Sequence, residues 1–355
     1  MGFYADHCTY LPPMLGWFTF SALLSSYNKL VFGEAHLAFP CPLLVTSVHF
    51  LVQWIFSWVV SSVYSEFFGG NRLKEMTWRE YLGAGIPCGL ATSLDVGLSN
   101  LSLVTISITF YTMVKSATPI FVLGWAFLFG IERITGSLVL VVMIIAAGEF
   151  LTVLGEVDFD TRGFVLCLCA SVISGARWTV VQLKLQGMQP PLKTAIATMR
   201  LLSPSMFISM IVISLAIEEP WLKLGAGTPY FASFEQGLHT VGLCIGGALL
   251  AICMIICELY LIMNSSAIVL MIGGVIKEMT TILVGVNFFG DPLNAINVAG
   301  ISVVFLGVVF YKVNFHMGKL EEKDAESETQ NGATEYQKVN IDPEKESGAG
   351  YPISE

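Results

Sequence analysis

The sequence predicts an all-α polytopic membrane protein, with ten transmembrane helices arranged as two inverted five-helix repeats. Three observations carry that prediction: a composition too apolar for a water-facing surface, ten long apolar runs, and ionisable residues that recur inside those runs at a fixed offset.

Of the 355 residues, 54% are hydrophobic and 13% are charged, against about 25% charged in an average soluble domain. The net charge of −9 is unevenly spread. Residues 316–355 hold ten acidic and four basic side chains, so this stretch accounts for −6. The acidity therefore belongs to a tail and says nothing about a ligand. No basic stripe points to nucleic acid. The eight cysteines, among them Cys88, Cys167 and Cys257, lie mostly in apolar runs and form no CxxC pair. Neither a disulfide framework nor a zinc site is expected, and no metal or cofactor. The first residues lack a basic stretch and a small-residue cleavage site, so no cleaved leader is expected.

A bilayer core takes about 20 apolar residues in helical form, and in lipid the backbone has to satisfy its own hydrogen bonds. The runs that qualify are Pro13–Phe32, Pro42–Tyr64, Glu80–Leu101, Ile106–Phe129, Ser137–Gly155, Gly163–Gln186, Thr194–Ile217, Gly237–Met263, Ser265–Phe289 and Ala295–Val313. Helices 3 and 4 have to turn over near Ser102–Thr105, and helices 8 and 9 near Asn264–Ser266. Lysine and arginine in the loops favour one side: Arg72, Lys74, Arg79, Arg133, Lys184 and Lys193 against Lys29, Arg162 and Lys223. That bias puts both termini in the cytosol. The division is residues 1–160 for the first repeat, 161–315 for the second, and 316–355 for a disordered acidic tail poor in large aliphatics. Tyr336-Gln-Lys-Val339 in that tail fits a tyrosine-based sorting signal, a pattern that also arises by chance.

The repeat shows in the residues least expected in lipid. Lys115 and Lys277 stand 162 apart, as do Pro42 and Pro204, and Asp95 and Glu258 stand 163 apart. An intramembrane charge costs about 2.5 to 3.5 kcal/mol on insertion scales and ordinarily faces a cavity or a partner. Lys115 and Lys277 fall near mid-span, too deep to reach the headgroups comfortably. The tight hairpins put Asp95 level with Lys115, and Glu258 level with Lys277. Each half then carries a carboxylate–lysine pair, either as a structural pin or as part of a binding site. Two ammonium groups converging on one cavity suit a phosphate or phosphate ester, with the carboxylates balancing them when the cavity is empty. Glu149 and Glu278 also lie inside apolar runs, and proton coupling through them is left open. Arg177 points either into the cavity or to the cytosolic headgroups. His49 reads as a helix-packing residue and Lys29 as an anchor at a helix end. No HExxH, P-loop, GxSxG or aspartate-rich loop occurs, so catalysis is not expected.

At these residues the chain resembles the triose-phosphate and nucleotide-sugar translocators of the drug/metabolite transporter superfamily. The resemblance lies in Tyr27-Asn28-Lys29, Thr46-Ser-Val-His49, Leu94-Asp-Val-Gly-Leu-Ser-Asn100, Phe110-Tyr-Thr-Met-Val-Lys-Ser116, Gly175-Ala-Arg-Trp-Thr-Val-Val-Gln182 and Gly273-Gly-Val-Ile-Lys-Glu278. Two of these stretches, Leu94–Asn100 and Phe110–Ser116, are similar to the GDP-fucose-transporter-like C branch of solute carrier family 35. The resemblance implies exchange by alternating access and residence in the Golgi or endoplasmic reticulum membrane. It also implies phosphate contacts at Lys115 and Lys277. The sugar-phosphate site would be lined by Gly273 and Gly274, in a Gly-x-x-x-Lys stretch. Plastid phosphate carriers have a Lys-Arg pair where this chain has Lys277-Glu278, which disfavours a triose phosphate.

The function expected is therefore antiport of a nucleotide sugar, or a related phosphorylated sugar, against a nucleoside monophosphate or phosphate. Tyr111, Asn28, Arg177 and Glu278 would line the same cavity. The expected partners are the phosphorylated small molecule and membrane lipid, with sorting machinery at the tail; a homodimer is left open. The alternative is a non-transporting membrane regulator acting through the tail.

Overall fold

In a computed structural model, residues 2–33, 36–130, 135–155, 159–190, 192, 194–224, 230–264, 274, 277–278, 280–310 and 313 are described. Every regular element among them is helical. The order is α1 (Gly2–Phe32), α2 (Pro42–Val63), α3 (Gly70–Glu75), α4 (Trp78–Thr105), α5 (Ile108–Lys115), α6 (Thr118–Leu128), α7 (Gly136–Leu154), α8 (Thr161–Gln186), α9 (Ala195–Ile217), α10 (Pro220–Lys223) and α11 (Phe234–Asn264). Two more follow, α12 (Thr280–Phe289) and α13 (Ala295–Phe310). Residues 1–307 form one compact unit and 308–355 a second. In the second, Val308, Val309, Phe310 and Val313 are the described residues, and all are helical.

Among the described residues, four helices are both long and apolar enough to cross a membrane: Pro42–Val63, Thr161–Leu185, Ala195–Ile217 and Phe234–Leu261. The helix α4 has the length, but it carries Arg79, Glu80, Asp95 and a run of Gly, Ser and Thr.

Local chemistry sets the boundaries. The Thr77 side chain and Glu80 form a capping box at the start of α4, which satisfies two of the orphan N–H groups there. Asp160 accepts from the Gly163 N–H at 2.6 Å and starts α8. Thr194 does the same for α9 through the Ala197 N–H.

Two sequence expectations shift. The turnover expected at Ser102–Thr105 is still helical, and the turn lies at Ile106–Ser107 instead. Lys29 explains the extra length: its ammonium donates to the carbonyls of Leu103 at 3.2 Å and Ile106 at 2.7 Å. A cation there satisfies carbonyls that a helix end leaves open. Second, the single helix expected over Ile106–Phe129 is two, α5 and α6, broken at Ser116–Ala117. Pro119 has no N–H to give, and the chain restarts with that proline in the first turn of α6. The Thr118 hydroxyl takes up the freed Lys115 carbonyl at 2.6 Å. The other expected hairpin turn, at Ser265 and Ser266, lies outside the described residues, as does Tyr336–Val339.

The core is helix against helix. The helix α2 packs on α9, α4 on α8 and α9, α1 on α11, and α6 on α8. Small residues bring backbones close, as is usual in membrane bundles. At the crossing of α7 and α13, a Cβ on Gly300 would lie 2.8 Å from the Gly148 carbonyl oxygen, and one on Gly148 would lie 2.9 Å from that of Gly300.

Candidate functional site

The buried charges assemble into one chain across four helices. Lys115, at the end of α5, donates to Asp95 Oδ1 of α4 at 2.7 Å. Arg177 of α8 donates through Nε to Asp95 Oδ2 at 2.9 Å, and through Nη1 to Glu258 Oε1 of α11 at 3.3 Å. Asp95 is 5% exposed and Glu258 7%. Carboxylates this deep are tolerable only when paired and hydrogen-bonded.

Lys277 and Glu278 are helical and half-buried. The Lys277 ammonium stands 5.3 Å from the centroid of the Trp17 ring of α1, within range for a cation–π contact. The Glu278 carboxylate is within electrostatic reach of both Lys277 and Lys115. Glu278 thus ties the two lysines into one neighbourhood. Together, three cations and three carboxylates make a formally neutral cluster.

The expected pairing of Asp95 with Lys115 is present. Glu258, however, pairs with Arg177 rather than with Lys277. The hairpin argument fixes depth along a helix but not the direction in which a side chain leaves it. Lys277 turns to Trp17, and Arg177 takes both carboxylates. Its orientation is thereby settled: it faces the interior.

The other expected site residues divide. Tyr111 is partly buried one turn before Lys115. Asn28 sits in a polar relay: its Nδ2 donates to Asn100 Oδ1 at 3.0 Å, and Asn100 Nδ2 donates to Thr46 Oγ1 at 2.7 Å. The relay ties α1, α4 and α2 together. Gly274 has open space where a side chain would begin. Gly273 and the side chain of Glu149 lie outside the described residues. His49 packs against Tyr27, with ring centroids 6.0 Å apart.

Sequence reasoning missed Gln53. It lies in the apolar run of α2, is 2% exposed, and its carbonyl oxygen has no hydrogen-bond partner among the described residues. The signal was an uncharged amide at mid-span, which a search for charges passes over. Gln53, Arg177 and Glu258 line one cavity, of about 20 Å³, room for a single water. Among the described residues no group of His, Cys, Asp or Glu is placed to hold a metal ion.

A helical bundle with membrane-length apolar helices and a charged, hydrogen-bonded interior defines a multi-pass membrane protein. Comparison with known proteins agrees. The family model described as the Triose-phosphate Transporter family matches residues 11–312, and the chain belongs to that family. A probable sugar phosphate/phosphate translocator of Arabidopsis thaliana is 37% identical over 298 residues, covering 84% of this chain and 71% of the relative. A GDP-mannose transporter of the same plant is 25% identical over 316 residues, covering 86% and 85%. A crystal structure covering 87% of this chain and 97% of its own superposes with a TM-score of 0.50 at 16% identity, a likeness of fold alone. The chain is a transporter and not an enzyme.

Proposed function

We propose that this protein is a secondary antiporter exchanging a nucleotide sugar, or a related phosphorylated sugar, for a nucleoside monophosphate or phosphate by alternating access. The observation that carries the reading is the neutral charge cluster. Each cation meets a protein group that an incoming phosphate can replace: Lys115 meets Asp95, Arg177 meets Asp95 and Glu258, and Lys277 meets the Trp17 ring. Lys115 and Lys277 contact the phosphate. Arg177, Tyr111, Asn28 and Gly273–Gly274 line the same path. Glu278 accepts from hydroxyl or base N–H groups.

The cluster also accounts for obligatory exchange. Parting a buried ion pair without a replacement costs about 3–5 kcal/mol, which slows the empty return roughly a hundred- to a few thousandfold. A bound phosphate supplies the replacement on both legs of the cycle.

The ten-span, two-repeat architecture is part of this proposal. Packing supports it: α1 on α11 corresponds to α8 on α4, α4 on α9 to α11 on α2, and α2 on α4 to α9 on α11. An inverted repeat generates such pairs. The loop charges favour a topology with both termini in the cytosol, and the resemblance to nucleotide-sugar carriers supports residence in the Golgi or endoplasmic reticulum membrane.

The test is counterflow in proteoliposomes. Lys115→Ala and Lys277→Ala lower exchange of a nucleotide sugar or sugar phosphate to background, while both variants elute as monodisperse protein in detergent. Retained exchange in both variants overturns the proposal.

A further inference from the structure

We infer that Gln53 reads one edge of a planar nucleobase, in a pocket on the side of Arg177 away from Lys115, so that the ligand is a nucleotide or its sugar ester rather than a bare sugar phosphate. The inference rests on the phosphorylated-ligand reading above and deepens it.

The pocket is the cavity closed on its charged side by Arg177 and Glu258. Its remaining polar lining comes from Gln53, Thr92, Ser203 and the indole of Trp178, and its walls from Met199, Leu202 and Met206 of α9. The hydroxyls nearby are already spent. The Thr92 hydroxyl donates to the Cys88 carbonyl at 2.7 Å, and the Ser203 hydroxyl to the Met199 carbonyl at 2.7 Å. Arg177 donates through Nε and Nη1 to the two carboxylates. The Gln53 carbonyl is left without a donor although it is buried. Native proteins rarely leave such a group unpaired, and an exception calls for an explanation. A ligand that supplies the missing donor is one.

The chemistry of the lining selects the ligand group. A carboxamide offers an acceptor beside a donor. Its complement is a ring N–H next to a carbonyl, the edge presented by uracil and by guanine. The apolar walls contributed by methionine and leucine suit a flat, weakly hydrated face, and methionine adapts to irregular shapes. A hexose is a poor occupant, because one amide cannot satisfy its several hydroxyls and unmet hydroxyls oppose burial. The cavity as it stands admits one water, so a base enters only when α2 and α9 part from α8 and α11. Alternating access requires such an opening. Arg177 borders both regions, which puts the phosphate on the lysine side and the base on the Gln53 side.

The test uses the purified full-length chain and two variants, Gln53→Met, which keeps the volume and removes the amide, and Lys115→Ala. Binding of UMP, GMP, CMP, ribose 5-phosphate and inorganic phosphate is measured by calorimetry or thermal shift. In the wild type, UMP or GMP binds at least tenfold tighter than ribose 5-phosphate. Gln53→Met erases that preference, leaves ribose 5-phosphate binding unchanged, and raises the melting temperature of the ligand-free protein. Lys115→Ala weakens every phosphate compound alike. Equal binding of ribose 5-phosphate and the nucleotides by the wild type overturns the inference and leaves the transport reading standing, as does a preference that survives in Gln53→Met. Failure of every phosphate compound to bind the wild type overturns both.

Discussion

At the scale of single residues, the site turns on Arg177. One planar guanidinium bonds Asp95 and Glu258, carboxylates from two helices that the sequence places at matching points of its repeat. A lysine has no rigid fork to hold two partners at once. Arg177→Lys is therefore expected to keep the charge yet lose at least tenfold in exchange. Arg177→Met removes the bond that holds Glu258 and should cost about 3–5 kcal/mol in stability. Adding Glu258→Gln to Arg177→Met should recover most of that stability, read as the melting temperature in detergent, and none of the exchange. Recovery of exchange in the double variant would reduce Arg177 to a counter-ion for Glu258. The sequence showed which residues were out of place in lipid, because charge in an apolar run stands out by itself. It did not show who pairs with whom: Asp95 and Lys115 meet as their depths require, yet Glu258 and Lys277 do not. Neither could it show that Gln53 is unpaired, since that depends on how Thr92 and Ser203 spend their hydroxyls.

At the scale of helices, the starts were legible and the interruptions were not. Pro42 marks the first turn of α2, yet Cys41 at its N-cap makes no side-chain cap. The cap comes from far along the chain: Glu218 accepts from the Leu43 N–H at 2.6 Å, the Leu44 N–H at 2.9 Å and the Ser214 hydroxyl at 2.7 Å. No local pattern announces a cap supplied 175 residues away. The break between α5 and α6 was hidden for a related reason. Membrane helices tolerate proline when neighbours re-satisfy the backbone, so Pro119 alone does not separate a kink from a restart. Glu218 yields a pH prediction. Burial pushes its carboxyl above the ordinary carboxylate value of 4.5, outweighing the two N–H bonds that pull it down. A group whose value is raised in the folded state gives its full stabilisation below the unfolded-state value and loses it as pH rises through the folded one. The advantage of the wild type over Glu218→Gln should therefore shrink as pH rises above about 4.5, when melting temperatures are compared at each pH. An advantage that grows with pH would show that the ionised cap, favoured by the helix dipole, outweighs its burial.

At the scale of the molecule, a bundle of membrane helices with a polar interior could be read from composition and run length. The relative placement of the helices could not, because lipid-facing and partner-facing sides are both apolar and only small residues distinguish them. Gly16 shows what such a position can do. It lies on α1 next to Trp17, over which the Lys277 ammonium rests, and a Cβ built on it falls 3.0 Å from Cys257 Sγ on α11. Cys257 adjoins Glu258, the far end of the Arg177 chain. A sulfur added at residue 16 is therefore within reach of a disulfide to Cys257 after a small adjustment, since disulfides form only between side chains this close. The bond would join α1 to α11 beside both the Lys277–Trp17 contact and the Arg177–Glu258 pair. If exchange requires α11 to move away from α1 as the charge cluster opens, the bond stops the cycle. Oxidised Gly16→Cys should then lose exchange in proteoliposomes, regain it on treatment with dithiothreitol, and respond to neither treatment once Cys257→Ser is added. Full exchange by a quantitatively cross-linked sample would show that α1 and α11 travel together, and the moving boundary would have to be sought between α4 and α8 instead.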